Sequence, residues 1–325
     1  MNERILVLLG PTAVGKTAVS ISLAKRLDAE IVSADSIQVY RGLDIGSAKP
    51  SFEERQGVKH HLLDIADIGD ARFSVAEFRR LADQCIADIT ARHRFPLVVG
   101  GTGLYVNALT YPLQFTSVPG DETIRAALQA EERGKPGSLY HRLQEIDPTT
   151  ADRLHPNDSK RIVRALEVYE ASGRTLSSYG DDFANKSQAE PPYRAVIAGL
   201  TMHRDMLYAR IEQRVDEMMR MGLLDETRSL YEAGYADTLP ALQGLGYKQL
   251  LRYLKEQTTL EEAIEEIKRE TRRFAKRQFT WFKRDERIRW FDVEEYPQTS
   301  DLINAIAEYF QKSIQQDDGE EGRPK

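Results

Sequence analysis

Gly10-Pro11-Thr12-Ala13-Val14-Gly15-Lys16-Thr17 spells G-x-x-x-x-G-K-[ST], a spacing suited to wrapping backbone N–H groups around phosphate oxygens. The glycines permit the tight turn, a following helix adds positive potential at its N-terminus, Lys16 adds a full charge, and Thr17 offers a hydroxyl to Mg2+. A loop that turns over a nucleoside triphosphate is usually accompanied by an acidic magnesium residue at the end of another apolar strand. Here the run Leu97-Val98-Val99 ends instead in Gly100-Gly101-Thr102-Gly103, with neither Asp nor Glu. An acid does follow a different run, in Ser33-Ala34-Asp35-Ser36. At the C-terminal end of a strand Asp35 lies where an α/β sheet keeps its ligands, placed to take a proton from a substrate or to hold metal through water. A turn or helix cap is the alternative use of an Asp between two serines.

These residues need a scaffold that presents strand ends. Ile5-Leu6-Val7-Leu8-Leu9 reads as a strand covered on both faces, and Val19, Leu23 and Leu27 recur at helical spacing just after the loop. Ile31-Val32-Ser33 reads as a second strand, and the stripe Val75, Phe78, Leu81, Ala82, Cys85 and Ile89 as a helix. Pro96-Leu97-Val98-Val99 is then a third strand. This alternation predicts an α/β fold, a P-loop NTPase-like parallel sheet flanked by helices. Over residues 121–187 only helical periods occur, such as Ile162, Leu166 and Tyr169, which predicts an all-helical insert domain. The core is expected in residues 1–120 and 188–312. It resumes as a strand at Ala195-Val196-Ile197-Ala198-Gly199-Leu200 and continues in helices, the first marked by Leu207, Ile211, Val215 and Met218. Residues 313–325 read as a disordered acidic tail.

The chain has 325 residues, of which 41% are hydrophobic and 30% charged, enough to bury a core without disulfides. Its single cysteine, Cys85, cannot form an internal bridge. No apolar run approaches the roughly 18 residues of a membrane span, and no signal-peptide layout opens the chain, so the cytoplasm is the expected location. Forty-five Lys and Arg against 51 Asp and Glu give a net charge of −6, which excludes a uniformly basic nucleic-acid coat. The charge is uneven, however. Residues 268–289 carry ten cations against three anions, a net +7 that leaves −13 elsewhere, the segregation a local RNA-binding surface requires. Ile264, Ile267, Phe274 and Trp281 keep helical phase through this stretch, predicting aromatics in the core and cations outward. His60-His61 lacks a third ligand at suitable spacing and reads as a structural pair.

Taken in series, Gly10 to Thr17, Ser33-Ala34-Asp35-Ser36-Ile37-Gln38-Val39-Tyr40, Asp44-Ile45-Gly46-Ser47-Ala48-Lys49-Pro50 and Val99-Gly100-Gly101-Thr102-Gly103-Leu104-Tyr105 closely resemble the bacterial tRNA dimethylallyltransferases, or IPP transferase family. His155-Pro156-Asn157-Asp158 with Lys160-Arg161, Arg210-Ile211-Glu212-Gln213-Arg214, Gly244-Leu245-Gly246-Tyr247-Lys248 and Lys276-Arg277-Gln278-Phe279-Thr280-Trp281-Phe282 follow in that family's order, so the resemblance spans roughly residues 4–290. It implies transfer of a dimethylallyl group from dimethylallyl diphosphate to N6 of the adenosine 3′ of the anticodon (position 37). The tRNAs concerned read codons that start with U, and diphosphate is released.

The same resemblance implies roles for single residues. The loop from Gly10 to Thr17 binds the donor's diphosphate, which accounts for the missing acid, with ATP binding at the same loop left open, and Mg2+ is the cofactor, held at Thr17. Asp35 is the general base, assisted by Thr17 and by Arg214 as a diphosphate contact; whether Arg210, one helical turn away, meets ligand or solvent is left open. The tRNA anticodon arm is the partner. Asp35, Ser36, Ile37, Gln38 and Thr102 surround a base flipped out of its stack. Lys160, Arg161, Arg164, Gly244, Gly246, Tyr247 and Lys248 contact the RNA further out, although a solvated helix face would explain the charges of the first three equally well. No membrane and no obligate protein partner are implied. Three other classes share parts of this pattern. A small-molecule P-loop kinase would turn over ATP without a prenyl donor, and an enzyme prenylating free adenine nucleotides would share the loop and the base. A non-catalytic RNA-binding module would not need the loop and Asp35 together.

Overall fold

Strand β1 (Arg4–Leu9) is buried almost along its whole length, as its unbroken apolar run requires, and it lies in the middle of a parallel sheet. The sheet has six strands in the order β3-β2-β4-β1-β5-β6, with β2 at Ala29–Ser33, β3 at His60–His61, β4 at Phe95–Gly100, β5 at Arg194–Thr201 and β6 at Arg289–Asp292. Every ladder is parallel. Register fixes what the sheet presents: Leu9 pairs with Gly100 and Ser33 with Val99, so the loops after β1, β2 and β4 leave from the same edge. The computed structural model describes residues 3–70, 73–113, 115, 118, 120–179 and 190–321.

The chain divides into two compact units. The first, Met1–Phe73, Phe78–Thr110 and Pro192–Lys325, contains the sheet. Helices α1 (Lys16–Leu27), α2 (Val75–Ala91) and α3 (Gly103–Thr110) follow strands, as the alternating pattern predicts. The second, Ser74–Glu77 and Tyr111–Pro191, holds α4 (Glu122–Gly134), α5 (Ser138–Ile146), α6 (Pro148–Ala151) and α7 (Ser159–Ser172) around a core of Leu128, Leu139, Leu143, Ile162 and Leu166. Among its described residues there is no strand; residues 180–187 of the expected insert lie outside the described residues. Inside it Glu167 is fully buried between Arg125 at 3.0 Å and Arg164 at 2.8 Å.

Past β5 the first unit continues in α8 (Arg204–Arg220), α9 (Leu223–Glu232), α10 (Tyr247–Leu254), α11 (Leu260–Phe282) and α12 (Thr299–Glu321). Two details depart from the sequence reading. The stretch expected to stay helical to residue 312 is interrupted by β6, four residues pairing with β5 at the sheet edge; flanking charges and the short length hide it from periodicity. The tail expected to be disordered from residue 313 is instead helical through Glu321, while residues 322–325 lie outside the described residues. Its reason is the stripe Leu302, Ile306, Phe310 and Ile314, four residues apart, which packs on the core that α1 also covers and carries the helix onward.

Candidate active site

The shared edge of β1, β2 and β4 opens on a cavity of about 1180 Å3, walled by Thr12, Lys16, Thr17, Asp35, Arg214 and Gln278 among others. All of these belong to the first unit. Lys16 starts α1 and folds back, its Nζ donating to the Gly10 carbonyl at 2.9 Å and the Pro11 carbonyl at 2.8 Å. Burial and the neighbouring Arg214 charge lower its pKa to about 7, while Asp35 acts in the opposite direction. Burial likewise lowers the pKa of Arg214, opposed by Asp35 and Glu54. Two desolvated cations thus face one carboxylate, a potential suited to an anion.

Asp35 combines the two uses its position allows. Its Oδ1 accepts from the backbone N–H of Ile37 at 2.8 Å and of Gln38 at 3.2 Å, so the carboxylate is held by one oxygen while it borders the cavity. Thr102 braces the same turn, with Oγ1 accepting from Ser36 N at 3.2 Å and its own N–H donating to the Ala34 carbonyl at 3.3 Å. The approach of the two loops depends on Gly100: a Cβ there would lie 2.2 Å from the Ala34 carbonyl oxygen. Gln38 is already engaged, its amide donating to the Ser47 and Ala48 carbonyls at 3.2 Å and accepting from Ser33 Oγ at 3.1 Å. Arg210, left open by the sequence, is exposed and borders the same cavity as Arg214.

For Mg2+ the fit is partial. Thr17 borders the cavity, but the described residues hold no group of three or more His, Cys, Asp or Glu placed for a metal. Such a site suits an ion that draws its other ligands from phosphate oxygens and water, as Mg2+ commonly does. His60 and His61 are not such a group either: His61 Nε2 lies 2.6 Å from Glu30 Oε2, and His60 Nδ1 lies 2.9 Å from the Val58 carbonyl.

The residues proposed to meet RNA are placed less uniformly. On the second unit Lys160 and Arg161 are exposed, Arg161 pairing with Asp158 at 2.6 Å, whereas Arg164 is turned to Glu167 and to the Val118 carbonyl at 2.8 Å. Gly246 is buried, and Tyr247 is 0% exposed with its hydroxyl donating to Glu226 Oε1 at 2.5 Å; Gly244 is half-buried and Lys248 exposed. Gly246 and Tyr247 thus hold this segment from inside, the buried phenol keeping its hydrogen-bond partner, while Lys248 is its exposed side chain. In α11, Phe274 is likewise not core: it borders the cavity, and Trp281 is half-buried against Gly103. Lys276, Arg277, Lys283 and Arg284 are exposed, while Lys268 pairs with Asp216 at 2.8 Å and Arg272 with Glu212.

Two residues of the site escape the sequence reading. Gln278 is buried at 7% exposure and spans two loops. Glu226 accepts from the backbone N–H groups of Asp44 at 3.1 Å, Ile45 at 2.9 Å and Gly46 at 3.1 Å as well as from Tyr247, fixing the segment that walls the cavity at Asp44, Ile45, Ser47, Ala48 and Lys49. Gln278 stands in the stretch Lys276 to Phe282 that carries the resemblance and is in phase with Ile267 and Phe274, signals that mark the residue without its role; Glu226 has none among many carboxylates.

A profile of the family described as IPP transferase matches residues 38–285. The chain belongs to that family. It is 47% identical over 311 residues to a tRNA dimethylallyltransferase of Anoxybacillus flavithermus, covering 96% of this chain and 97% of that one. A tRNA dimethylallyltransferase of Symbiobacterium thermophilum is 53% identical over 294 residues, or 90% of each chain. Among solved structures, a full-length tRNA isopentenylpyrophosphate transferase of Bacillus halodurans superposes with a TM-score of 0.70 at 42% identity, covering 97% of this chain and 99% of that chain. A eukaryotic dimethylallyltransferase acting on tRNA gives 0.77 at 29% identity, with 99% of this chain and 80% of that chain covered. The cavity of this IPP transferase therefore sits in a scaffold shared along nearly its whole length with these relatives.

Proposed function

We propose that this chain transfers a dimethylallyl group from dimethylallyl diphosphate to N6 of the adenosine 3′ of the anticodon, position 37, in tRNAs reading codons that start with U, releasing diphosphate. The observation that carries the reading is one cavity bordered by both an anion-binding cluster, Lys16, Thr17 and Arg214, and a held carboxylate, Asp35. The names of the relatives supply the group transferred and the class of acceptor.

In this reaction the donor's C1–O bond breaks and charge grows on the departing diphosphate. Lys16, Arg214 and the loop N–H groups stabilise that charge where it develops. The adenine N6 lone pair is delocalised into its ring, so bond formation to C1 benefits from removal of a proton, and the Asp35 carboxylate accepts it. Mg2+ would sit at Thr17 and neutralise phosphate charge. Exposed Lys248, Lys276 and Arg277 on the first unit, and Lys160 and Arg161 on the second, supply contacts to the anticodon arm. No described helix is long and apolar enough to cross a membrane. A cytoplasmic location follows from the acceptor proposed.

The test incubates the purified protein with unmodified tRNA, labelled dimethylallyl diphosphate and Mg2+, then maps the label. Incorporation at N6 of the adenosine after the anticodon is the expected result. Label on free AMP with none on tRNA, or ATP turnover without a prenyl donor, overturns it.

A further inference from the structure

Helix α11 points one buried polar side chain at the site, and that side chain joins two loops that the reaction must keep in step. Gln278 Oε1 accepts from Thr12 N–H at 2.9 Å, inside the phosphate-binding loop. Its Nε2 donates to the Gly101 carbonyl at 2.9 Å, in the turn after β4. The neighbour of Gly101 is Thr102, whose backbone and hydroxyl hold Ala34 and Ser36 on either side of Asp35. One amide is thus the middle link between the loop around the leaving group and the turn that carries the base. The packing is close: a Cβ on Gly101 would lie 2.3 Å from Gln278 Nε2. Phe274, four residues earlier, borders the cavity, and Trp281, three residues later, covers Gly103, so a whole face of α11 is turned to this seam.

The chemistry of the link restricts what can replace it. The side chain must accept at one atom and donate at the other, which only a primary amide of this length does here. A glutamate accepts from Thr12 N–H but presents a second acceptor to the Gly101 carbonyl, and alanine leaves both groups unpaired.

We propose that Gln278 is a positioning residue that sets the distance between the diphosphate-binding loop and Asp35. The inference rests on the prenyl-transfer reading above. Its specific consequence concerns the fate of the donor. When C1 and the adenine N6 are misaligned, water takes the place of N6: the C1–O bond of the donor breaks, a new bond forms from water oxygen to C1, and the water proton passes to the diphosphate or to solvent. Dimethylallyl alcohol is then released in place of modified tRNA.

The experiment compares wild type with Gln278→Glu and Gln278→Ala, measuring kcat, KM for donor and tRNA, alcohol formed per transfer, and melting temperature. A displacement of this kind costs about 10- to 100-fold in kcat. The expected result is that loss in both variants, with tRNA KM within about threefold of wild type and more alcohol per transfer. Unchanged kcat, or a rise in tRNA KM with kcat and alcohol ratio preserved, overturns the inference by making Gln278 a bystander or an RNA contact. A fall in kcat that tracks lowered melting temperature while the alcohol ratio stays at the wild-type value also overturns it. If Gln278→Ala fails to fold, Gln278→Glu, which keeps volume and helix propensity, decides alone. Wild type that transfers nothing to tRNA refutes the proposed function itself, a result distinct from any of these.

Discussion

Asp35 and Lys16 face each other across the site, and each makes a separate claim that can be measured. Positioned proton transfer is worth roughly 10²–10⁴ in rate. Asp35→Asn keeps the oxygen that caps Ile37 and Gln38 but not the basicity, so kcat is expected to fall by that order while tRNA affinity holds; steady-state kinetics with an unaltered kcat would remove Asp35 from the role. Lys16, with a pKa of about 7, is mostly neutral above neutrality. A bound diphosphate favours the protonated form and raises that pKa, so binding must draw in a proton once the pH exceeds about 7, and draws none at Lys16 when the pH is well below it. Calorimetry of diphosphate binding in buffers of different ionisation enthalpy should show proton uptake growing from pH 6 to pH 8, and no growth in Lys16→Met. Identical uptake in the two proteins would dissociate the effect from Lys16. Both residues are legible in the sequence because their types and their places after apolar runs are diagnostic. Gln278 is not, since the two backbone groups it joins lie 266 and 177 residues away along the chain.

At the level of elements, the turn from β2 keeps its shape through Thr102 in the turn after β4, and the 44–50 segment through a side chain delivered by a later helix. Glu226 on α9 gathers three consecutive N–H groups and the Tyr247 hydroxyl of α10. Tyr247→Phe deletes one of these hydrogen bonds, worth about 0.5–1.5 kcal/mol, and leaves Glu226 its three backbone donors. Urea unfolding should register that loss while tRNA Kd stays unchanged. Lys248→Ala, one residue on and exposed, should do the opposite, weakening tRNA binding at unchanged stability. A weaker tRNA Kd for Tyr247→Phe at wild-type stability would place Tyr247 on the RNA surface. The contrast also shows where periodicity is informative. Buried strands such as β1 and the stripes of α1 and α2 announce themselves because many apolar residues must share a face. The two-residue β3 and four-residue β6 have no room for a pattern and exist because a neighbouring strand offers an edge. The motif around Tyr247 is visible in the sequence, but its spacing leaves open which of its side chains face outward and which the interior.

For the molecule as a whole, the −6 net charge makes the salt response informative. If the exposed cations of α11 grip RNA, log affinity should fall with log salt at a slope of about −0.7 for each phosphate neutralised. Lys276→Ala and Arg277→Ala should each reduce that slope by about one such step, and a flat response for wild type would contradict the surface. Part of the +7 is already spent inside the protein, on Asp216 and Glu212 of α8, so the slope is expected to report fewer phosphates than the sequence charge suggests. Strand order carries a consequence of another kind. One strand, β4, separates β1, which ends in the phosphate-binding loop, from β2, which ends at Asp35. Neighbouring strands lie about 4.7–4.9 Å apart, so leaving group and base are seated about two such steps from one another. The sheet acts as a ruler graduated in backbone hydrogen bonds, which give by tenths of an ångström. In the proposed reaction the reacting carbon is metered from the diphosphate end, whatever the length of the chain behind it. Changes to the cavity's apolar side chains can therefore alter which prenyl group is admitted while leaving the point of bond formation where the strands set it.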